Sequence, residues 1–282
     1  MKRVLKGALV LLFAAATAQA QMEGVAEMKI SSSGGSAGSA MTGAGKTYIS
    51  KTGWRSEMEM SNPEMTKMTG GKPFRMVMFG KISDPDTVYS VNEAMKTYSV
   101  INAKEMRELA AKMEKQEHKY DVKRLGKDVV AGFACENVKV TDKEGKTDVE
   151  ACFAKEFASG EWLKAMQRGG GRGSDWMKVV KDAGVDGYPV RVVTTMKEQG
   201  GMKMTAEMTK FERRSIPGSM FEVPPGYKQT SMMGTFAQTP EQAKQMEDAQ
   251  KQLEGAMKNM TPEQRKMMEE MMKKQGAPPP KQ

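Results

Sequence analysis

The chain has 282 residues, a formal charge of +9, one histidine, two cysteines and 29 methionines. A single His cannot build a multi-histidine zinc site, and two Cys cannot build an all-cysteine one; at 39% hydrophobic residues the composition excludes a polytopic membrane protein. Methionine is the anomaly, at about a tenth of the chain and well above ordinary usage.

Residues 1–20 read as a secretory leader. Lys2, Arg3 and Lys6 form a positive n-region, Ala8 to Ala16 an apolar stretch, and Ala18-Gln19-Ala20 a cleavage site before Gln21. The apolar run is shorter than the roughly 18–20 residues that a membrane span needs. No Cys follows it, so the reading is a cleaved signal on a periplasmic or secreted protein that is not a lipoprotein. Losing the leader takes Lys plus Arg from 44 to 41 against 35 Asp plus Glu, leaving about +6. That charge is spread along the chain, so no nucleic-acid partner is expected; peripheral contact with a membrane or other envelope surface fits it better.

The next half is rich in strand patterns. Val25 to Ser31 alternates, with Ala26, Met28 and Ile30 on one side and Glu27 and Lys29 on the other. Ser31 to Ala44 is rich in Gly and Ser and reads as a loop. Strands are then expected at Lys46–Lys51, Trp54–Met60, Pro73–Phe79, Thr87–Val91 and Thr97–Ile101, separated by turns such as Ser61-Asn62-Pro63 and Ser83-Asp84-Pro85-Asp86. Ala103 to Lys115 reads as a helix with Met106, Leu109, Ala110 and Met113 on one stripe. His118 falls in the connector that follows, where a solvated role is expected.

A second strand cluster comprises Lys119–Leu125, Val129–Ala131 and the runs Ala134–Thr141 and Lys146–Ala154. A four-residue loop between the last two makes Thr141 face Lys146 and Cys135 face Cys152, close enough for a cross-strand disulfide. In an oxidising compartment such a staple contributes on the order of 3 kcal/mol; two buried free thiols are the alternative. Phe157–Gln167 reads as a short helix, Arg168–Gly173 as a loop and Ser174 as the cap of a helix through Asp182. Long strands follow at Tyr188–Lys197 and Met202–Phe211.

Beyond residue 236 the composition turns helical. Thr239-Pro240-Glu241-Gln242 recurs as Thr261-Pro262-Glu263-Gln264, each a capping box with Pro at the first helical position. Two helices are expected, Pro240 to Met260 and Pro262 to Gln275. The first stripes Met246, Ala249, Leu253, Ala256, Met257 and Met260; the second concentrates Met267, Met268, Met271 and Met272. The bland expectation is that these helices pack on their own sheet; docking a partner or an envelope surface is the alternative. The expected domains are therefore a signal at 1–20, a body at 21–236, a Met-rich helical extension at 237–275 and a disordered tail at 276–282.

Methionine alternates in the strands as Met58/Met60, Met76/Met78 and Met202/Met204/Met208. Strand side chains alternate with period two, so each set lies on one face. Core filling explains this. So does a soft apolar ligand cavity, for which the candidate lining is Met28, Ile30, Trp54, Met58, Met60, Phe74, Met76, Met78, Tyr89, Tyr98, Val190, Val192, Met202, Met204 and Met208. A third reading is Cu(I) held by thioethers, with Met58, Met60, Met65 and Met68 as its candidate ligands. No nucleophile elbow, P-loop or dinucleotide-binding pattern is present, so no enzyme activity and no cofactor are expected.

Three stretches together carry a resemblance. They are Val130-Ala131-Gly132-Phe133-Ala134-Cys135, Asp186-Gly187-Tyr188-Pro189-Val190 and Met220-Phe221-Glu222-Val223-Pro224-Pro225-Gly226-Tyr227. With the strand pair in Asp86–Val100, they make roughly Met22–Tyr227 resemble the bacterial domain-of-unknown-function family DUF4412, similar in architecture to the periplasmic lipoprotein-carrier (LolA-like) superfamily. Cys152 stands where the family pattern has a Trp or another apolar residue. The resemblance implies an α+β fold: a strongly curved antiparallel sheet, an incomplete barrel with helices on its concave side, to which the C-terminal helical extension is added. It also implies an apolar cavity of the kind that shields lipid chains, and so a lipid or a lipoprotein acyl chain as partner.

Overall fold

A computed structural model describes residues 23–35, 40–68, 71–106, 108, 119–143, 147–157 and 175–232, with eight further positions between 235 and 255. The strands are β1 Gly24–Ser33, β2 Thr42–Ile49, β3 Gly53–Ser61, β4 Phe74–Lys81, β5 Asp84–Asn92, β6 Thr97–Asn102, β7 Tyr120–Val130, β8 Phe133–Asp142, β9 Thr147–Ala154, β10 Tyr188–Met196, β11 Met202–Arg213 and β12 Lys228–Gln229. They form one sheet in the order β12-β6-β5-β4-β3-β2-β1-β11-β10-β9-β8-β7, unclosed at both ends. Every pairing is antiparallel except the short β12–β6 contact, which makes the sheet mixed.

The alternating sequence dictates two unlike faces. In Glu57-Met58-Glu59-Met60 the thioethers go to one side and the carboxylates to the other. Register carries each assignment across the sheet, since directly opposed residues share a face. The first face, called the methionine face below, runs without a break through Phe74, Met60, Gly43, Ile30, Ala206, Val192, Ala151 and Val138. The other face carries Tyr48, Phe79, Tyr89 and Tyr98, together with Arg55, Glu57 and Lys46.

Each face is covered differently. On the second face Val25, Val77, Phe79 and Val91 pack under Ile216 and Phe221, with Met220, Val223 and Tyr227 around them. The Phe-x-Val-Pro-Pro-Gly-Tyr stretch is thus a strap over this face. On the methionine face Val138, Val140, Val149, Ala151 and Phe153 pack under Val180 and Trp176 of the helix Asp175–Asp182. Further along it, Ala103 closes on Trp54 and Val88. Asn102 caps the helical turn that begins there: its Oδ1 accepts from the Glu105 N–H at 3.1 Å and its Nδ2 donates to Glu105 Oε1 at 3.0 Å.

The sheet curls, because β8 and β11 touch with two strands between them. Phe133 of β8 meets Phe211 of β11 edge-to-face at 5.9 Å, and Phe157 meets both, at 4.9 and 5.2 Å. The β7–β8 hairpin that brings Phe133 there is a two-residue turn, with Ala131 at φ 51° and Gly132 at φ 84°. Positive φ at both central residues matches the right-handed twist of the flanking strands.

Several expectations need correction. The Gly-rich run read as a loop to Ala44 enters β2 at Thr42, because its backbone pairs with β1 and β3 whatever its side chains. The two strands expected at Lys119–Leu125 and Val129–Ala131 are the single strand β7, irregular between Arg124 and Gly126. The Asp84-Pro85-Asp86 part of one expected turn is strand, and the turn expected at Ser61-Asn62-Pro63 leads from the end of β3 directly into a short helix, Pro63–Met68. The leader with its Ala20/Gln21 cleavage, most of the 103–115 and 157–167 helices, His118, the 168–173 loop and most of the tail lie outside the described residues.

Candidate ligand-binding face

Five strands contribute one residue each to a straight cross-strand row on the methionine face. Met76 opposes Met58, Met58 opposes Gly45, Gly45 opposes Met28, and Met28 opposes Met208. Met208 is buried at 1% exposure, whereas Met28, Met58 and Met76 are only partly buried. Thioethers therefore run from the core to an accessible surface, and Phe74, Met60 and Ile30 flank them in the adjacent row.

Between these side chains β2 contributes bare backbone. Gly43 and Gly45 both stand on the methionine face, so a trough one residue wide runs between the side chains of β1 and β3. The two glycines are not equivalent. A methyl group at Gly43 would come within 2.5 Å of the Glu59 carbonyl oxygen, while at Gly45 its nearest neighbours would be at ordinary contact distances, Met58 Cγ at 3.5 Å and Met28 Cβ at 3.7 Å among them.

Of the candidate lining residues, Met28, Ile30, Trp54, Met58, Met60, Phe74, Met76, Met78, Val192, Met202, Met204 and Met208 share this face. Tyr89 and Tyr98 do not. They stand on the opposite face, where Tyr89 stacks on Phe79 at 4.7 Å beneath the strap. In Tyr89-Ser90-Val91 both flanking side chains are apolar enough for a core, so period two alone leaves the choice of side open. Val190 is the extra residue of a β-bulge against β9, fully buried with Cys135, Cys152 and Ala154.

Cys135 and Cys152 form a disulfide with Cα atoms 5.3 Å apart. The pairing is as expected but the register is not: Cys135 opposes Ala154, and Cys152 opposes Asn137. A slip of two residues keeps each side chain on its face, and the bridge runs along the diagonal. The bulge at Val190 makes Tyr188 oppose Ala154, so the cystine side of β9 continues onto the Tyr188 side of β10. Burial pushes the Tyr188 phenol above its ordinary pKa.

The opposite face is built of charge. Arg55, buried at 7% exposure, donates to Glu57 Oε1 at 2.7 Å and to Glu93 Oε1 at 3.0 Å. Arg75 reaches Glu57 at 3.1 Å and Glu93 at 2.8 Å, closing a ring of two guanidiniums and two carboxylates. A groove of about 550 Å³ beside it is lined by Glu27, Lys29, Lys46, Glu57, Glu59 and Arg75. Further along, Arg191 pairs with Asp128 at 2.6 Å and touches Asn137 at 3.3 Å. The Arg191 hydrogen bond is the main cause that holds the Asp128 carboxyl below its usual range. This charged side was legible, in hindsight, in Glu57-x-Glu59 and Arg75 alternating with the methionines.

Among the described residues no group of three or more His, Cys, Asp or Glu is placed to hold a metal ion, and no helix is long and apolar enough to cross a membrane. Met65 and Met68 of the thioether copper set fall on the Pro63–Met68 helix, their side chains outside what is described.

The fold and site define a protein with one large open sheet, one charged and strapped face, and one face of partly accessible thioethers. The chain belongs to the family described as "Domain of unknown function (DUF4412)", whose model matches residues 22–227. No curated protein matches it. Among solved structures it is similar to the MucA/MucB complex of Pseudomonas aeruginosa, at 12% identity and TM-score 0.34 over 72% of this chain and 62% of that one. It is also similar to a putative outer membrane lipoprotein-sorting protein domain from Vibrio parahaemolyticus, at 10% identity and TM-score 0.31 over 71% and 89%. A LolA superfamily protein from Nitrosomonas europaea is similar at 6% identity and TM-score 0.31, over 72% and 91%. The chain spans about three-fifths of the length of the MucB structures it matches.

Proposed function

We propose that this is an exported, non-enzymatic protein that holds a hydrophobic ligand, a lipid or the acyl chain of a lipoprotein, on its methionine face. The observation that carries this reading is the row Met76, Met58, Met28 and Met208 with bare Gly45 within it. Unbranched, polarizable thioethers adapt to chains of varied shape, and a glycine trough gives an extended alkyl chain somewhere to lie. In this reading the sheet is a half-barrel curled with the methionine face inward, the helices at 103 and 175–182 standing over its concave side. The cystine fits an oxidising compartment, in keeping with the leader read at residues 1–20.

Titration with a fluorescent apolar probe tests the reading. Saturable uptake near one probe per chain, displaced by a fatty acid and lost in Met58→Glu/Met76→Glu, is expected. Uptake unchanged by those two substitutions sinks the assignment of the site.

The directly opposed thioethers Met58/Met76 and Met28/Met208 also support a second reading, Cu(I) binding. Anaerobic Cu(I) titration separates the two: affinity unaltered by Met58→Leu/Met60→Leu removes the site at Met58, Met60, Met65 and Met68.

A further inference from the structure

β7 ends the sheet: β8 pairs with one side of it, and no described strand lies on the other. The two most exposed large apolar side chains among the described residues both stand on this strand, Val129 at 65% and Leu125 at 48%. Leu125 is the extra residue of the irregularity between Arg124 and Gly126, so it faces no partner on β8. Val129 opposes exposed Ala134, just before the Ala131-Gly132 turn. A methyl group added at Gly126 or Gly132 would meet nothing within 4 Å beyond its chain neighbours, so bulge and turn both stand clear of the body.

The charges around these side chains are unequal. Asp121 pairs with Lys143 at 3.0 Å and Asp128 with Arg191 at 2.6 Å, so both carboxylates of the strand are already neutralised. Arg124 holds Glu136 at 2.8 Å and donates to the Ala183 and Gly184 carbonyls at 2.9 and 3.2 Å, which ties the strand to the end of the helix Asp175–Asp182. Lys123 and Lys127 are exposed and have no carboxylate partner among the described residues. Lys123, Leu125, Lys127 and Val129 thus alternate, all exposed, along the free edge, and no residue from Val129 to Cys135 is charged. A bulge and edge lysines blunt a sheet edge against another strand, which argues against an added peptide or a second copy pairing here. They do not explain why this edge keeps the most exposed apolar side chains. A surface that is apolar below and anionic above fits both features, since lysine stems lie along apolar surface while their ammonium groups reach phosphates.

We infer that the free edge of the β7–β8 hairpin is a membrane-contact element: Leu125 and Val129 enter the headgroup–acyl boundary of an anionic bilayer while Lys123 and Lys127 meet its phosphates. Two residues of strand set Lys127 about 7 Å behind Val129, so the ammonium groups stay at the surface while the apolar side chains go in. With two apolar and two basic side chains the contact is weak and reversible. It does not rest on the reading of the methionine face as a ligand site.

The test uses protein purified after export, so that the apolar leader does not itself bind vesicles, in co-sedimentation with vesicles of equal parts phosphatidylethanolamine and phosphatidylglycerol. Lys123→Gln/Lys127→Gln is expected to weaken binding about 25-fold, since each basic residue near an anionic surface contributes about fivefold. Leu125→Ser/Val129→Ser is expected to weaken it about tenfold. Lys46→Gln/Lys210→Gln removes the same charge elsewhere, from pairs with Glu27 and Glu212, and is expected to bind within about twofold of wild type. No binding by wild type, or an equal loss in this last variant, overturns the hairpin contact. Val129→Cys, labelled with a nitrobenzoxadiazole dye while Cys135 and Cys152 stay bonded, reads insertion in an otherwise native chain. Its emission is expected to rise on the anionic vesicles, and that of a label at Thr209→Cys on the charged side is not; no rise at position 129 overturns the proposal. Met58→Glu/Met76→Glu should still bind vesicles, and if it alone abolishes binding, the contact belongs to the methionine face and the hairpin falls. Vesicle binding without uptake of an apolar probe leaves the hairpin standing and removes the ligand reading; probe uptake without vesicle binding does the reverse.

Discussion

Asn92 donates its side-chain amide to the carbonyl oxygen of Thr235 at 3.1 Å, joining positions 143 residues apart. Its Oδ1 also accepts from the Met95 N–H at 3.0 Å, so a single buried side chain fixes the β5–β6 turn and the point where the C-terminal extension leaves the sheet. The neighbouring residue, Glu93, reaches to the opposite face and closes the Arg55–Glu57–Arg75 ring.

Replacing Asn92 therefore removes two bonds in a buried polar site. Asn92→Leu is expected to cost about 1–3 kcal/mol, because the Thr235 carbonyl and the Met95 N–H lose their partner. Urea unfolding checks this; a midpoint within error of wild type would show that the bonds are replaced by water.

The two glycines of the trough separate stability from capacity. Gly43→Ala forces a methyl against the Glu59 carbonyl at 2.5 Å and is expected to lose about 1–3 kcal/mol. Gly45→Ala meets only ordinary contacts and is expected to stay within about 0.5 kcal/mol of wild type. Gly45→Leu should leave the fold intact and reduce probe uptake by filling the trough. Equal destabilisation by the two alanine substitutions would contradict the distinction.

Ala131 adopts φ 51° in a turn that glycine occupies without steric cost. A non-glycine residue there carries about 1–2 kcal/mol of strain. Ala131→Gly is expected to raise stability by about 0.5–1 kcal/mol after the entropy of the added freedom is counted. A fall in the urea midpoint would show that packing of the Ala131 methyl against the aromatic cluster outweighs the strain.

How much of this was legible beforehand depended on what each residue does. The alternation of Glu57, Met58, Glu59 and Met60 specified a strand and both its faces, because charge and thioether cannot exchange sides at equal cost. The Cys135–Cys152 bridge was legible for the same reason, even though the loop length gave a register two residues off. Gly43 was misread as loop because a missing side chain leaves no periodicity, although its backbone pairs with both neighbouring strands. Tyr89 and Tyr98 were assigned to the wrong side because which face the strap covers depends on where residues 216–227 return, a long-range contact with no local signature. The capping pair Asn102/Glu105 was present as Asn-x-x-Glu and went unread.

Asp128 supplies the pH test. Its folded-state pKa lies below the ordinary value, chiefly through the Arg191 hydrogen bond. The contribution is therefore complete above the unfolded aspartate value of about 3.9 and is lost as pH falls through the lowered folded value. In urea unfolding at constant ionic strength, wild type should exceed Asp128→Asn at pH 6, and the gap should close as pH is taken from 4 towards 2. A gap that stays constant over that range would contradict this linkage.

The most direct measurement is native mass spectrometry of the full-length protein after gentle purification, with Met58→Glu/Met76→Glu prepared alongside. The account predicts a lipid-sized adduct on the wild type, or its uptake from added phospholipid, and none on the variant. Wild-type protein that carries no lipid and takes up none, or a variant that binds as well as wild type, would contradict a ligand held on the methionine face.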